Sequence, residues 1–371
     1  MTPIIRFVGR SGSGKTTLLT KVIPLLAREG LRVAVLKHAH HRVDLDRQGK
    51  DSFRFAEAGA ELVTVVSPDK LATFEAPRTE PGLFALAARV SERADVILAE
   101  GFHGYPTPYV YVLGPGAVFD GHDEPGELLA LVAAEPASAG PDALSRDDPT
   151  ALAARLLEWI RTGRHPESEV ELALAEAAAF HGHVCPGQVL GVRLALLGCR
   201  AVGLPRPRGS KRLIVWVEMD RCGADAVQTV TGCRLGKRTL KFVDHGKLAA
   251  TFLNTETGEA VRVVARAESR ELAAQRYPSL DRHEAQMAAY RHLSDEELFE
   301  VRRVAVELGE DDRPGKPTVR VRCAVCGEEV NDRRHVETPD GPVCRACAGD
   351  AYVRTLDERM EVKPPWSPQS A

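Results

Sequence analysis

The sequence predicts an α/β protein: a P-loop NTPase with a mostly parallel sheet, followed by an α+β domain and a small four-cysteine zinc ribbon. Three observations carry this expectation. Continuous apolar runs alternate with helical periodicity through the N-terminal part, as in a parallel sheet covered on both faces. The octet Gly9-Arg10-Ser11-Gly12-Ser13-Gly14-Lys15-Thr16 matches G-x-x-x-x-G-K-T between the first apolar run and the first helix. None of the eight cysteines precedes Cys185, and four form two C-x-x-C pairs.

The first strand is Ile4–Val8, and a helix over Lys15–Arg28 follows the octet. Pro24 is expected to kink that helix and Gly30 to stop it. Leu31–Leu36, Glu61–Val66, Asp95–Ala99, Tyr109–Leu113 and Leu128–Ala133 read as further strands of the sheet. Glu135–Pro149 reads as a loop, and a helix over Thr150–Ile160 closes the domain. Beyond it, helices are expected over Glu169–Phe180 and Gly187–Leu197, and strands over Leu213–Glu218, Leu240–Val243, Ala249–Leu253 and Ala260–Ala265. Ser294-Asp295-Glu296-Glu297 is a capping box that should open a helix to about Leu308. Domains are expected at 1–163, 168–310 and 318–353, with a disordered tail over 354–371.

The 371 residues carry a net charge of −3, so no basic field points to nucleic acid or an anionic membrane. No apolar run approaches the roughly 20 residues of a membrane span, and the N-terminus lacks a signal-peptide pattern. A cytoplasmic protein is the expectation, and clustered cysteines in a reducing compartment favour metal binding over disulfides.

The octet has a physical reading. Gly9, Gly12 and Gly14 let backbone N–H groups converge on phosphate oxygens, with Ser13 and Thr17 beside them. Lys15 neutralises β/γ charge and Thr16 offers a hydroxyl to Mg²⁺ at a helix N-terminus. Glu100, ending the apolar run after Asp95, is the expected acidic partner for the metal. Asp44 and Asp46 follow the second strand and offer alternatives. The adjacent His40 and His41 suit a polar surface or phosphate contacts. No asparagine precedes Asn254, so an Asn-Lys-x-Asp reader of guanine is excluded from the first domain.

Gly9–Thr17, Lys37-His38-Ala39-His40-His41 with Asp44 and Asp46, Gly49-Lys50-Asp51-Ser52, Glu57-Ala58-Gly59-Ala60 and Glu100-Gly101-Phe102 occur in this order. Together they resemble MobB, the adaptor family of molybdopterin-guanine dinucleotide biosynthesis, over roughly 1–162. The resemblance implies a dimeric GTP-binding protein with weak GTPase activity that assists the molybdopterin guanylyltransferase. Lys15 and Thr16 would carry phosphate and Mg²⁺, Asp46 and Glu100 would stand on the metal side, and Lys50 and Asp51 would face the nucleotide. Arg47-Gln48 stands where members often have a proline.

In the second domain, Phe180-His181-Gly182-His183-Val184-Cys185-Pro186-Gly187 is dense in metal-ligand types. Pro186 suits the first position of a helix, which would put the Cys185 thiolate at a helix N-terminus. Cys222 and Cys233 are further candidate ligands, with burial as inert core thiols the alternative. Phe180–Gly191, Arg221–Val230, Thr231–Lys237 and Lys241–Gly246 resemble the FmdE family, named after a component of formylmethanofuran dehydrogenase, over about 168–310. That implies an FmdE-like α+β dimerising domain with a metal cleft around the His-x-Cys segment, associated with molybdenum or tungsten dehydrogenases. The metal would be zinc or another thiophilic ion, with molybdopterin cofactor a conceivable cargo.

Cys323-x-x-Cys326 and Cys344-x-x-Cys347 are separated by seventeen residues, the spacing of two knuckles holding a structural Zn²⁺. The expected function is that of a homodimeric GTP-binding protein of molybdopterin guanine dinucleotide biosynthesis or delivery, with a metal-binding FmdE-like domain linked to molybdenum or tungsten dehydrogenase maturation. The alternative is a P-loop kinase or independent NTPase acting on a small molecule.

Overall fold

A computed structural model describes residues 2–39, 46–119, 124–162, 166–205, 207–208 and 210–354. Asp44, His40 and His41, and the expected tail beyond Arg354, lie outside the described residues.

The chain begins with β1 (Ile4–Val8), α1 (Lys15–Arg28), β2 (Val33–Lys37), α2 (Asp51–Glu57), β3 (Leu62–Val66), β4 (Leu71–Glu75) and α3 (Leu83–Val90). It continues with β5 (Val96–Glu100), β6 (Tyr109–Val112), β7 (Leu128–Ala133), α4 (Pro136–Ala139), β8 (Leu144–Ser145) and α5 (Pro149–Thr162). Six of these strands form one parallel sheet in the order β2-β5-β1-β6-β7-β8. Side chains alternate across it. Ile5, Phe7, Val96, Leu98, Val110 and Val112 pack under α1 and α5. Ile4, Ile97 and Ala99 pack with Leu83 and Ala87 of α3 on the opposite face. Both faces of the central strands β1, β5 and β6 are therefore dry, which is why they read as apolar runs.

Arg6 breaks that run and is fully buried. Its guanidinium donates to Thr107 Oγ1 (2.8 Å), Thr107 O (3.0 Å), Phe102 O (3.1 Å) and Glu124 Oε2 (2.5 Å), so the charge is paired and hydrogen-bonded. Pro24 lies inside α1, which runs unbroken to Arg28.

The run at 61–66 is not part of the parallel sheet. β3 and β4 form a separate antiparallel hairpin, closed by Ser67 N–H donating to Lys70 O (2.8 Å). Turn residues at 67–70 favour this local pairing over a crossover.

The next elements are α6 (Pro166–His181), α7 (Pro186–Ala201), β9 (Leu213–Val217), α8 (Cys222–Thr231), β10 (Leu240–Phe242), β11 (Ala249–Asn254) and β12 (Ala260–Ala265). They are followed by α9 (Ser269–Arg276), α10 (Arg282–His292), α11 (Asp295–Leu298) and β13 (Phe299–Arg303). The sheet runs β10-β9-β11-β12-β13, parallel only between β10 and β9. α7 and α8 cross closely at glycine. A Cβ on Gly191 would stand 2.7 Å from Gly223 Cα and 2.7 Å from Ala226 Cβ. The capping box at Ser294 is present, with both reciprocal bonds. Its helix ends at Leu298 instead of continuing to Leu308, because Phe299–Arg303 pairs with β12 as an edge strand.

Met1–Arg234 and Leu240–Ala305 make one compact unit. Leu235–Thr239 joins the described residues from Val306 onward in a second. The second unit holds β14 (Arg320–Arg322) paired with β15 (Glu329–Asn331), and β16 (His335–Thr338) paired with β17 (Gly341–Cys344). Arg238 and Asp332 form an ion pair within it. Among the described residues no helix is long and apolar enough to cross a membrane.

Candidate functional site

The loop from Gly9 to Gly14 follows β1 and delivers the chain into α1. Gly9 sits at φ +140°, and a Cβ there would lie 2.3 Å from Val112 O, so no side chain fits. Gly12 and Gly14 also have positive φ. Ser13 is buried and its Oγ has no hydrogen-bond partner, a donor left for a ligand atom.

Lys15 Nζ folds over the loop and donates to Gly9 O and Arg10 O, both at 2.8 Å. Burial lowers its pKa, opposed by the Glu100 charge. Thr16 Oγ1 lies 2.8 Å from Glu100 Oε1 and 2.9 Å from Oε2. Glu100 is buried at the C-terminal end of β5. Lys37, at the end of β2, approaches Glu100 Oε1 at 3.2 Å and Thr16 Oγ1 at 3.4 Å. The hydroxyl and carboxylate expected to share a cation are thus in mutual contact, and Lys37 supplies positive charge beside them. Residues of this kind fit a nucleotide's phosphates and a hard divalent cation.

Thr17 is exposed on α1. Lys50 is exposed at the N-terminal boundary of α2. Asp46 accepts from Arg47 N–H through Oδ1 (2.8 Å), while its Oδ2 is buried without a partner. No described hydrogen bond or ion pair joins Asp46 or Lys50 to Gly9–Thr16. Two basic residues were not among the sequence candidates. Lys37 stood at the head of the Lys37-His38-Ala39-His40-His41 segment without a role of its own. Arg146, after β8, donates to Ser13 O (3.2 Å) and packs on Gly14. Nothing local in Ser145-Arg146-Asp147 signals that reach.

The second cluster lies where α6 ends and α7 begins. His181, His183 and Cys185 place a ligand atom each within 4.8 Å of one another. The two imidazoles stand 4.9 Å apart, and His181 Nδ1 pairs with Asp225 Oδ2 at 2.8 Å. A carboxylate on one ring nitrogen orients the other towards a metal. Cys185 is the N-cap of α7, with Pro186 in its first turn. Cys222 stands beside it at the start of α8: a Cβ on Gly187 would lie 3.8 Å from both sulfurs. Burial raises the Cys222 pKa, helped by its bond to the Cys185 thiol. Cys233 does not join them. It is 2% exposed in the core, with its thiol donating to Leu213 O at 3.6 Å. Cys199 is buried in the same core, and burial pushes its thiol up.

In the second unit, Cys323, Cys326, Cys344 and Cys347 bring four sulfurs within 4.8 Å of one another. Cys326 and Cys344 Sγ lie 3.9 Å apart. A tetrahedral ion with about 2.3 Å bonds to sulfur needs edges of about 3.8 Å. The backbone N–H of Cys326, then those of Cys344 (3.3 Å) and Val325 (3.4 Å), donate to Cys323 Sγ and lower its pKa to about 6.

Comparison with known proteins gives two family matches along the chain. "Molybdopterin guanine dinucleotide synthesis protein B" matches residues 4–133. "FmdE, Molybdenum formylmethanofuran dehydrogenase operon" matches residues 180–307. The molybdopterin-guanine dinucleotide biosynthesis adapter protein of Escherichia coli is 36% identical over 170 residues, covering 43% of this chain and 95% of the relative. A probable S-adenosyl-L-methionine-binding protein of Archaeoglobus fulgidus is 30% identical over 217 residues, covering 51% of this chain and 56% of that one. A solved FmdE-like protein of the tungsten formylmethanofuran dehydrogenase kind, from Syntrophus aciditrophicus, is 25% identical, with a TM-score of 0.36, covering 52% of this chain and 97% of that one. The phosphate loop lies within the residues matched by the first family model and the adapter-protein relative, and the chain belongs to the molybdopterin-guanine dinucleotide biosynthesis adapter (MobB) family, with an FmdE segment behind that part.

Proposed function

We propose that residues 1–163 bind GTP with Mg²⁺ and hydrolyse it slowly, as an adaptor to the enzyme that joins GMP to molybdopterin. The observation that carries this is the contact of Thr16 with Glu100, with Lys15 and Lys37 beside it. The backbone of Gly9, Gly12 and Gly14, together with Ser13, Lys15 and Thr17, would hold the phosphates. Thr16 and Glu100 would take the cation, with Asp46 and Lys50 closing over it when nucleotide binds. The cation would supply neutralisation of phosphate charge. Lys15 keeps a positive charge at the loop, and the N-terminus of α1 adds its dipole.

Residues 168–310 form the second functional part in this reading. His181, His183, Cys185 and Cys222 hold a thiophilic metal there and link the chain to a molybdenum or tungsten dehydrogenase. Residues 318–353 hold a structural Zn²⁺ through four cysteines. The protein works as a homodimer, and the exposed apolar side chains of the β3–β4 hairpin, including Leu62, Val66 and Leu71, support self-association.

A turnover assay on the full chain tests the adaptor reading. GTP hydrolysis should be slow without a partner and should disappear in Lys15→Ala. Fast multiple-turnover hydrolysis, or phosphoryl transfer to a small acceptor, would contradict it.

A further inference from the structure

The turn between β8 and α5 stands at the carboxyl end of the parallel sheet, the end that also carries the phosphate loop and where open α/β sheets take their ligands. Its backbone is well tied. Arg146 N–H donates to Ala133 O at 2.8 Å, which joins the residue to the end of β7. Asp148 Oδ1 accepts from Thr150 and Ala151 N–H at 3.1 and 3.2 Å in the first turn of α5. Lys21 of α1 approaches Asp147 at 3.8 Å.

The Arg146 side chain leaves this turn and crosses to the phosphate loop. Its Nη1 donates to Ser13 O at 3.2 Å. A Cβ on Gly14 would lie 3.2 Å from both Cδ and Nη1, so the arm lies directly against the last glycine of the loop, the N-cap of α1. Lys15 Nζ is turned to the other end of the loop, onto Gly9 O and Arg10 O. The loop thus carries a cation at each end.

What Arg146 touches does not satisfy it. A guanidinium is always charged and has five N–H donors. Here one donor meets one neutral carbonyl, and among the described residues no carboxylate pairs with the group. Other half-buried arginines of the same unit are matched by anions: Arg193 by Asp295, Arg208 by Glu176 and Arg262 by Glu218. The fork of Arg146 is left open to an anion from outside the chain. Phosphate is the anion that a guanidinium fork fits, through two parallel N–H···O bonds. In a loop of this spacing the backbone N–H groups cradle the α- and β-phosphates, while the lysine reaches β and γ. Arg146, at Ser13 and Gly14, stands against the cradle itself.

We propose that Arg146 is a second phosphate clamp, gripping α- or β-phosphate oxygens of the bound nucleotide with the donors that its contact to Ser13 leaves unused. The inference rests on the reading of Gly9–Thr16 as a nucleotide site. It makes Arg146 an affinity residue for diphosphate and triphosphate alike, and not a contact to the γ-phosphate.

The test is equilibrium titration of the full chain with GDP and GTP, each with Mg²⁺, in wild type, Arg146→Ala and Arg146→Lys. Arg146→Ala should weaken both nucleotides by the same factor, roughly tenfold, as for loss of a charge-assisted hydrogen bond. Arg146→Lys keeps the charge without the fork and should fall between wild type and Arg146→Ala. The salt dependence of GDP affinity should be shallower in Arg146→Ala, a charge effect that an arm merely bracing the loop would not produce. Unchanged affinity in Arg146→Ala, a loss confined to GTP, or an unaltered salt dependence would overturn the proposal. The nucleotide reading is tested separately by Lys15→Ala. Binding that is weakened in Lys15→Ala and indifferent to Arg146→Ala would overturn the clamp alone, and binding of neither nucleotide by wild type would overturn both.

Discussion

Ser91 Oγ and Glu176 Oε1 are 2.5 Å apart in a buried contact between residues 85 positions distant in the chain. Glu176 Oε2 also pairs with Arg208. Leu172, one turn earlier on α6, is buried with Leu83 and Ala87 of α3. The same helix ends at His181. One rod is thus rooted beneath the phosphate-loop sheet and terminates in the His181–His183–Cys185 cluster. Glu176→Ala removes the carboxylate that both groups share, leaving the Ser91 hydroxyl only its long bond to Ala88 O (3.3 Å) and the Arg208 guanidinium its long bond to Val230 O (3.3 Å). It should cost about 2 kcal/mol in urea unfolding. A loss within experimental error would show that the contact does not hold the two parts together.

Glu218 carries the pH dependence. Arg262 donates to it twice, at 2.6 and 2.7 Å, and holds its carboxyl below the usual carboxylate value, with His245 adding to the effect. A depressed carboxylate pKa gives stability that is present above the unfolded value of about 4.3 and is lost as pH falls through the lower folded value. Glu218→Gln should therefore be less stable than wild type at neutral pH, and the gap should close in acid. A gap that stays constant from neutral pH down to acid would assign the loss to packing.

The four-sulfur cluster should behave as the fold of its own unit. The second unit has short two-stranded ribbons, and among its described residues only Cys323 and Val343 are buried apolar groups. A strong chelator should unfold it, exposing residues 318–353 to protease while the first unit stays resistant. Resistance of that segment after complete metal removal would contradict a structural metal.

Metal content should distinguish the other cysteines. Cys185→Ala should lose the metal beyond that of the ribbon, whereas Cys233→Ala should keep it. Cys233→Ala should instead cost stability, about 1 kcal/mol, through a small core cavity. Equal metal counts in wild type and Cys185→Ala would remove Cys185 from the ligand set.

The phosphate loop was legible because everything it needs is local: a strand, glycines at fixed spacing, Lys15 and a helix. Glu100 was legible as the carboxylate ending an apolar strand. The non-local parts were not. Leu62–Val66 looks like any sheet strand until its pairing with Leu71–Glu75 is known. The capping box announces a helix start truly, but its length is decided by β12, which draws Phe299–Arg303 into the sheet. Cys222 and Cys233 carry the same local signal, and only the crossing of α7 and α8 separates the one beside Cys185 from the one in the core. Arg146 reaches Ser13 across 133 positions, a contact without a sequence pattern.

Equilibrium titration with GTP and ATP, each with Mg²⁺, on wild type and Lys15→Ala tests the central claim most directly. Tight binding of GTP over ATP is expected. Lys15→Ala should weaken GTP by roughly thirtyfold, the loss of about 2 kcal/mol from a charged hydrogen bond. Absence of triphosphate binding in wild type, or an affinity unchanged in Lys15→Ala, would contradict the account.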